Sequence, residues 1–206
     1  MAKKKLVRFG VKNVRYAVST EGVYGTPKDL AYANSISLEA DYEEQNLYGD
    51  NEIIGVLGDD KGKTGVLSVI NLETDYEIDM KRALEIENGL AEIQQRSSVK
   101  HALYFETNGQ EDGQSITIKR WLFGVTTGKP SETYNQTTDN PTINPYDYPL
   151  KVLGTVLLDN LGEEEFKDEF GNTIKVHSIT KFPEDPGYDT FGNTVPVPKA
   201  KAVIAG

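Results

Sequence analysis

No cysteine occurs among the 206 residues, and there are only two histidines, two methionines and one tryptophan. The missing cysteines exclude disulfides and thiolate metal sites and fit synthesis in a reducing compartment. Stability must then come from packing, strand pairing or partners. No long apolar run occurs; stretches such as Val156-Leu157-Leu158 are far too short to span a bilayer. Met1-Ala2-Lys3-Lys4-Lys5 is basic but no apolar segment follows it, so a secretory leader is not expected. Basic residues are also few. Lys and Arg number 22 against 32 Asp and Glu, a formal net charge of −10 and a pI near 4.8. A protein that grips a duplex needs the opposite balance to displace counterions from phosphate. Such a surface serves plain solubility, and it also suits a wall that DNA passes without being held.

Chemistry is equally sparse. Nucleophilic catalysis needs a base beside Ser, Thr or Cys. His101 lies on the apolar parity of its strand, where a satisfied core histidine is the ordinary reading, and His177 beside Val176 is expected to point outward. Gly58-Asp59-Asp60-Lys61-Gly62-Lys63-Thr64 lacks the GxxxxGK[ST] spacing and puts two acids where phosphate would bind. The acid run Glu163-Glu164-Glu165 with Asp168 and Glu169 lacks the alternation of a calcium loop, and reads as a solvated face. Paired glycosidase carboxylates are close in space rather than in sequence, so 32 acids say nothing for or against them. No catalytic residue, cofactor or metal ligand is assigned, and the chain is not expected to be an enzyme.

What is present is alternation. Val14, Tyr16 and Val18; Ile36, Leu38, Ala40 and Tyr42; Val66, Ser68, Ile70 and Leu72; Val99, His101, Leu103 and Phe105; and Leu150, Val152, Val156 and Leu158 each recur with period two, as half-buried strands do. Ile174 and Val176 begin a further strand, and Gly154 marks a bend or close approach. Ile116 and Ile118 sit on one parity, Trp121, Phe123 and Val125 on the other. A β-bulge near Lys119-Arg120 would turn both sets inward, with Trp121 and Phe123 as core anchors. Gly58–Gly62 and Gly109–Gly113 read as hairpin turns, the first joining Glu52–Leu57 to Thr64–Leu72.

One helix is predicted over about 75–87. Thr74 and Glu77 have capping-box spacing, Tyr76, Met80, Ala83 and Leu84 recur at helical intervals, and Asn88-Gly89 supplies a left-handed stop. The stretch Leu90–Arg96 is ambiguous. Three segments do not read as compact structure: a basic N-terminal arm at 1–10, a Pro-, Thr- and Asn-rich loop at 128–148, and a Pro/Gly-rich C-terminal arm at 183–206. Loops of about 20 residues signal either flexibility or a functional role, here ordering against neighbouring copies. Between the arms, residues 11–182 form one β domain. Glu39, Asp41 and Glu43 make a negative stripe on one strand face, which is ordinary solvent exposure or the lining of a channel.

The order and spacing of these segments carry a resemblance. Arg8-Phe9-Gly10-Val11-Lys12-Asn13-Val14-Arg15-Tyr16-Ala17, Ala33-Asn34-Ser35-Ile36-Ser37-Leu38-Glu39-Ala40, Asn46-Leu47-Tyr48-Gly49-Asp50-Asn51 and Lys63-Thr64-Gly65-Val66-Leu67-Ser68, followed by the helix, resemble the major tail proteins of long-tailed, non-contractile phages of Gram-positive bacteria. Ala102-Leu103-Tyr104-Phe105-Glu106 and Lys119-Arg120-Trp121-Leu122-Phe123-Gly124-Val125 continue the likeness over nearly all of residues 6–182. The resemblance implies a two-sheet β-sandwich or barrel-like tail tube fold flanked by one helix, with extended arms. It implies hexameric rings stacked into a virion tail tube around a tape-measure protein, begun by a tail tip initiator and ended by a tail terminator, with DNA passing inside and no membrane. On that reading a long hairpin at 48–72, with Asp59, Asp60, Lys61 and Lys63 at its tip, contacts neighbouring subunits or rings, while Glu39, Asp41 and Glu43 face the lumen. The alternative is a monomeric carbohydrate- or ligand-binding β-sandwich using its eleven tyrosines for stacking.

Overall fold

A computed structural model describes residues 6–30, 32–49, 52–111, 113–133 and 144–201. In chain order the strands are β1 (Leu6–Thr20), β2 (Val23–Tyr24), β3 (Lys28–Asp29), β4 (Ala33–Gly49) and β5 (Glu52–Val69). The helix α1 (Thr74–Asp79) follows, then β6 (Ala83–Ile86), β7 (Gly89–Glu92), β8 (His101–Glu111), β9 (Gln114–Thr127), β10 (Tyr146–Val152), β11 (Thr155–Val156), β12 (Lys175–Val176) and β13 (Ser178–Lys181). Among the described residues the protein is mainly β with one short helix and no closed barrel, the class that period-two alternation indicates. One large sheet runs β2-β1-β8-β9-β10-β5-β4, with β13 added on β9 and β3 on β1; β11-β12 and β6-β7 are separate pairs.

The large sheet curls over itself. Val14 and Tyr16 of β1 pack in one cluster with Leu67 and Val69 of β5, although three strands separate β1 from β5 in the sheet. Leu103, Phe105, Leu122, Val125, Tyr148, Leu150 and Val152 fill the space between, and Tyr76 and Met80 of α1 complete the cluster. The curl thus supplies two facing β layers. The inward face of β5 is Leu67 and Val69, whereas Val66 and Ile70 are exposed. This reverses the parity expected there. Pairing decides it: Leu67 lies opposite Ile36 and Val69 opposite Ala33, and cross-strand partners share a face.

The opposite face of β8 and β9 carries a second cluster, Ala102, Tyr104, Trp121, Phe123 and Phe191, flanked by Tyr24, Val176, Ile179 and Val195. This explains the change of parity in β9. Both faces of that strand are covered, so Ile118, Trp121, Leu122 and Phe123 are all buried without any bulge at Lys119-Arg120, where the ladder to β8 is regular. The irregularity comes three residues later, between Leu122 and Val125, and is made by Gly124 at φ 59°. A Cβ there would lie 2.2 Å from the Gly154 carbonyl oxygen, so only glycine fits.

Two presumed arms are structured. Residues Leu6–Phe9 pair with Asn108–Glu111 and belong to β1. Residues 183–201 form a strap over the second cluster. The Trp121 indole donates to the Phe191 carbonyl at 2.8 Å, Arg15 to the Gly192 carbonyl at 3.1 Å, and the Tyr188 hydroxyl to the Thr117 carbonyl at 2.7 Å. The strap holds because each turn sends an aromatic ring or a carbonyl into the sheet. Residues 1–5 and 202–206 of the predicted arms lie outside the described residues. The predicted loop 128–148 ends earlier than expected, because β10 starts at Tyr146; residues 134–143 lie outside the description.

The helix is shorter than its periodicity predicts. It ends at Asp79, and Lys81 at φ 56° reverses the chain. Glu73 takes the cap position with no side-chain bond. Glu77 is committed elsewhere, in a bidentate pair with the fully buried Arg82: Nε to Oε2 at 2.9 Å and Nη2 to Oε1 at 2.8 Å. Arg82 Nη1 donates to Thr127 Oγ1 at 2.9 Å and to the Gly128 carbonyl at 2.9 Å, and the guanidinium lies 5.0 and 4.9 Å from the Tyr76 and Tyr148 ring centres. Tyr148 donates to Glu77 Oε1 at 2.8 Å. Beyond Arg82 the chain forms the β6–β7 hairpin, in which Gly89 pairs with Ile86 and Glu87-Asn88 make the turn, so Asn88-Gly89 is not a helix stop.

His101 is fully buried, 3.3 Å from the Tyr76 hydroxyl. Desolvation pushes its imidazole down to about 4, with the nearby Arg82 charge acting the same way. The unfolded chain takes up this proton near the ordinary value of about 6.5, and the folded chain refuses it until about 4. Stability is therefore lost as pH falls through that window, by roughly 3 kcal/mol from this group. Urea titrations between pH 7 and 4 should show a shallower decline for His101→Gln than for the wild type. Phe191→Ala should cost about 3–5 kcal/mol and shift the emission of Trp121 to the red; unchanged unfolding and emission would mean that the strap does not cover the second cluster.

Candidate assembly interface

The sheet leaves two borders unpaired. On its outer side β1 pairs with β3 at Arg15 and Tyr16 and with β2 at Ser19 and Thr20, and Val14 and Val18 accept from the amides of Leu30 and Gly25, but among the described residues no strand pairs that side before Val14. Among the described residues β4 is bonded only to β5. Where these borders approach, Val11–Arg15 and Tyr32-Ala33 line a groove of about 430 Å³ with no ladder across it among the described residues. Unpaired N–H and C=O rows of this kind invite another strand.

The β4–β5 pair is longer than the sheet that supports it. β10 covers β5 only from Lys63 to Val69, while β4–β5 pairing continues to Gly49 and Glu52. Residues 42–49 and 52–60 therefore project as a two-stranded ribbon, roughly 25 Å long at about 3.3 Å per residue. Every residue from Tyr42 to Tyr48 is exposed, including Tyr42 at 53%, Leu47 at 42% and Tyr48 at 68%.

This geometry corrects the predicted hairpin at 48–72. Gly58–Gly62 is not a turn but the middle of β5, and the β4–β5 ladder continues to the pair Gly49 and Glu52, with residues 50–51 outside the description. At Gly58 the Tyr42 ring occupies the space that a Cβ would need, and Gly62 occurs where β5 carries an extra residue opposite Asp41. Glycine thus serves close approach and a bulge rather than a loop. Asp60, Lys61 and Lys63 consequently sit at the ribbon root, not at a tip; Asp59 is in β5, with its side chain outside the description. Asp60 Oδ1 accepts from Gly62 N at 2.9 Å, and its Oδ2 lies 3.9 Å from His177 Nδ1. His177 is half-buried rather than outward.

Glu39, Asp41 and Glu43 face away from the core, opposite Ile36 and Leu38, which pack against it. The row is not uniformly negative. Glu43 bonds Lys61 at 2.6 Å, which lowers its carboxyl below the usual range, and Asp41 lies 3.6 Å from Lys151. Lysines from β5 and β10 were invisible to a reading of β4 alone. Trp121 and Phe123 are both 0% exposed, on the second cluster.

The arrangement offers little for a stacking platform. Tyr16, Tyr76, Tyr104 and Tyr148 are core residues, and the exposed Tyr32, Tyr42 and Tyr48 form no ring pair among the described residues. The unpaired borders and the ribbon are the surface features that sequence patterning missed. The one available signal was the β-compatible length of residues 33–49; in residues 52–69 the glycines and acids at 58–62 masked the continuity of the strand.

No protein-family model matches the chain, and no curated protein matches it. Among solved structures, it is similar to a chain in a "Cryo-EM structure of the anti-feeding prophage (AFP) baseplate, 6-fold symmetrised", with a TM-score of 0.37 and 9% identity over 74% of this chain and 91% of that one. So loose a likeness carries no argument about function.

The ribbon root has a sharp steric requirement. Gly62 has φ 104°, and a Cβ would meet the Val152 carbonyl oxygen at 2.1 Å; at Gly58 it would meet only the movable, exposed Tyr42 ring. Gly62→Ala should destabilise by about 2–4 kcal/mol and Gly58→Ala by less than about 1, as measured by denaturant unfolding. Equal costs would contradict the bulge at Gly62.

Proposed function

We propose that this chain is a non-catalytic structural subunit of a phage particle, a tail tube protein that self-assembles into stacked hexameric rings. The observation that carries this reading is the β4–β5 ribbon, which reaches beyond its own sheet with Tyr42, Leu47 and Tyr48 exposed. A monomer has no use for such an element, and exposed apolar strand pairs are normally blunted. A neighbouring copy relieves both conditions by covering the rings and pairing the borders of β1 and β4. Contacts between unlike surfaces close into a ring when the rotation permits. The segment order shared with major tail proteins supports the same conclusion.

In this reading the outward face of β4 that carries Glu39, Asp41 and Glu43 lines the lumen. Lys61 and Lys151 moderate its field, and the net charge of −10 lets DNA pass without being gripped. The tape-measure protein occupies the tube before DNA does, and tail tip initiator and terminator proteins bound its length.

Replacing residues 45–57 by a two-residue Asn-Gly turn, which leaves the paired residues Glu44 and Gly58 as its flanks and keeps β4–β5 pairing near the root, tests the proposal. The shortened protein should remain folded by circular dichroism and form no rings or tubes in negative-stain images under conditions where the intact chain does. Tubes of normal length from the shortened chain would refute it.

A further inference from the structure

A cleft of about 620 Å³ opens between the ribbon root and the chain segments around β11 and β12. Its charged lining runs against the composition of the protein. Lys61, Lys100, Lys175 and His177 face it, with Asp60 as the single acid. Asp60 is engaged by Gly62 N and His177, and Lys61 by Glu43. Lys100 and Lys175 are exposed and make no ion pair among the described residues. Tyr24, Leu153 and Val156 give the same cleft an apolar wall.

From the rim of this cleft rises a lobe of opposite character. It spans residues 157–174, between β11 and β12, and lacks a core of its own. Its shape comes from two aspartates that gather backbone amides: Asp159 Oδ1 accepts from Gly162 at 2.6 Å and Glu163 at 2.8 Å, and Asp168 Oδ1 from Phe170 at 2.9 Å and Asn172 at 2.8 Å. These bonds hold both carboxyls below the usual range. Residues 159–170 contain six acids and one lysine. Glu163, Glu164 and Glu169 are exposed and unpaired among the described residues, and Leu161 and Phe170 stand out at 66% and 81% exposure. The lobe therefore presents carboxylates and apolar side chains together, and the cleft presents ammonium groups beside an apolar wall.

We infer that the cleft is the docking site for the acidic lobe of a second copy of this chain, with Lys100 and Lys175 receiving Glu163 and Glu164. Among the described residues no ion pair joins Lys100 or Lys175 to the lobe of the same molecule. A cleft and a lobe on one chain that meet only between copies make a head-to-tail contact, which propagates from subunit to subunit. Complementary charge also guides such copies together despite their like net charge, because repulsion between exposed charges is screened beyond about 8 Å at physiological salt. The inference rests on the proposed self-assembly and specifies one contact within it.

The test uses the full chain with a zero-length carbodiimide cross-linker, mixing isotopically light and heavy protein so that bonds between copies are distinguished by mass. Light–heavy peptides joining Lys100 or Lys175 to Glu163 or Glu164 are expected. The double variant Lys100→Glu/Lys175→Glu should lower self-association, followed by light scattering at low salt, by at least about tenfold. So should Glu163→Lys/Glu164→Lys, and mixing the two variants should restore association. If wild-type tubes form, no such cross-link appears and both variants polymerise normally, the cleft assignment falls while the tube reading stands. Cross-links from a chain that never makes tubes would keep the cleft contact and remove the tube. Loss of association in the lysine variant alone, without cross-links or rescue, would mean that another anion occupies the cleft and would also overturn the assignment.

Discussion

The buried pair of Glu77 and Arg82 is the constraint on which the packing depends. Two charges removed from water cost several kcal/mol each unless their hydrogen-bonding capacity is met. Here it is met: the guanidinium uses both faces of its fork on the Glu77 carboxylate and sends the remaining nitrogen to Thr127 and Gly128. Those acceptors lie at the end of β9, and the Tyr148 hydroxyl that also reaches Glu77 comes from β10. The pair therefore ties α1 to the point where β9 hands over to β10. It also stops the helix, because Arg82 can reach Glu77 in this geometry only if the chain turns inward after Met80. Tyr76 and Tyr148 pack edge to face over the charge, so the polar centre and the apolar cluster are one unit.

Anchoring one region of a curled sheet leaves another open. The borders formed by β1 and β4 approach each other but do not pair among the described residues, and the β4–β5 ribbon runs on past its support. In a protein without cysteine, stiffness in such a ribbon rests on its own backbone ladder and on exposed ion pairs such as Glu43–Lys61, worth little in water. In the proposed assembly, contact with identical copies supplies what the single chain lacks. The stable half of the molecule, with its two clusters on opposite faces of β8 and β9, is the platform; the ribbon and the acidic lobe are what it presents.

Charge follows the same division. The acids are dispersed over the outward faces, and the basic residues that matter are placed locally: Lys151 and Lys61 beside the β4 row, Lys100 and Lys175 in the cleft. Net charge thus describes the far field of the protein, while individual lysines set the local field beside the β4 row and in the cleft.

Much of this was legible in the amino-acid order. Period-two alternation identified most strands, and Trp121 and Phe123 stood out as large apolar residues. These properties are local, and local sterics and hydrophobicity determine them. The rest required the tertiary structure. Tyr76, Met80, Ala83 and Leu84 have helical spacing, but a long-range pair between Glu77 and Arg82, satisfied by Thr127 and Gly128, ends the helix and leaves a hairpin. Gly58 and Gly62 read as a turn, but the extended partner strand β4 absorbs them as a close approach and a bulge. The C-terminal prolines read as an arm, but Phe191 finds a second hydrophobic face on β8 and β9. In each case a contact between residues distant in sequence outweighed a local preference worth about 1 kcal/mol or less, because burial of an aromatic ring or satisfaction of a buried charge is worth several times more.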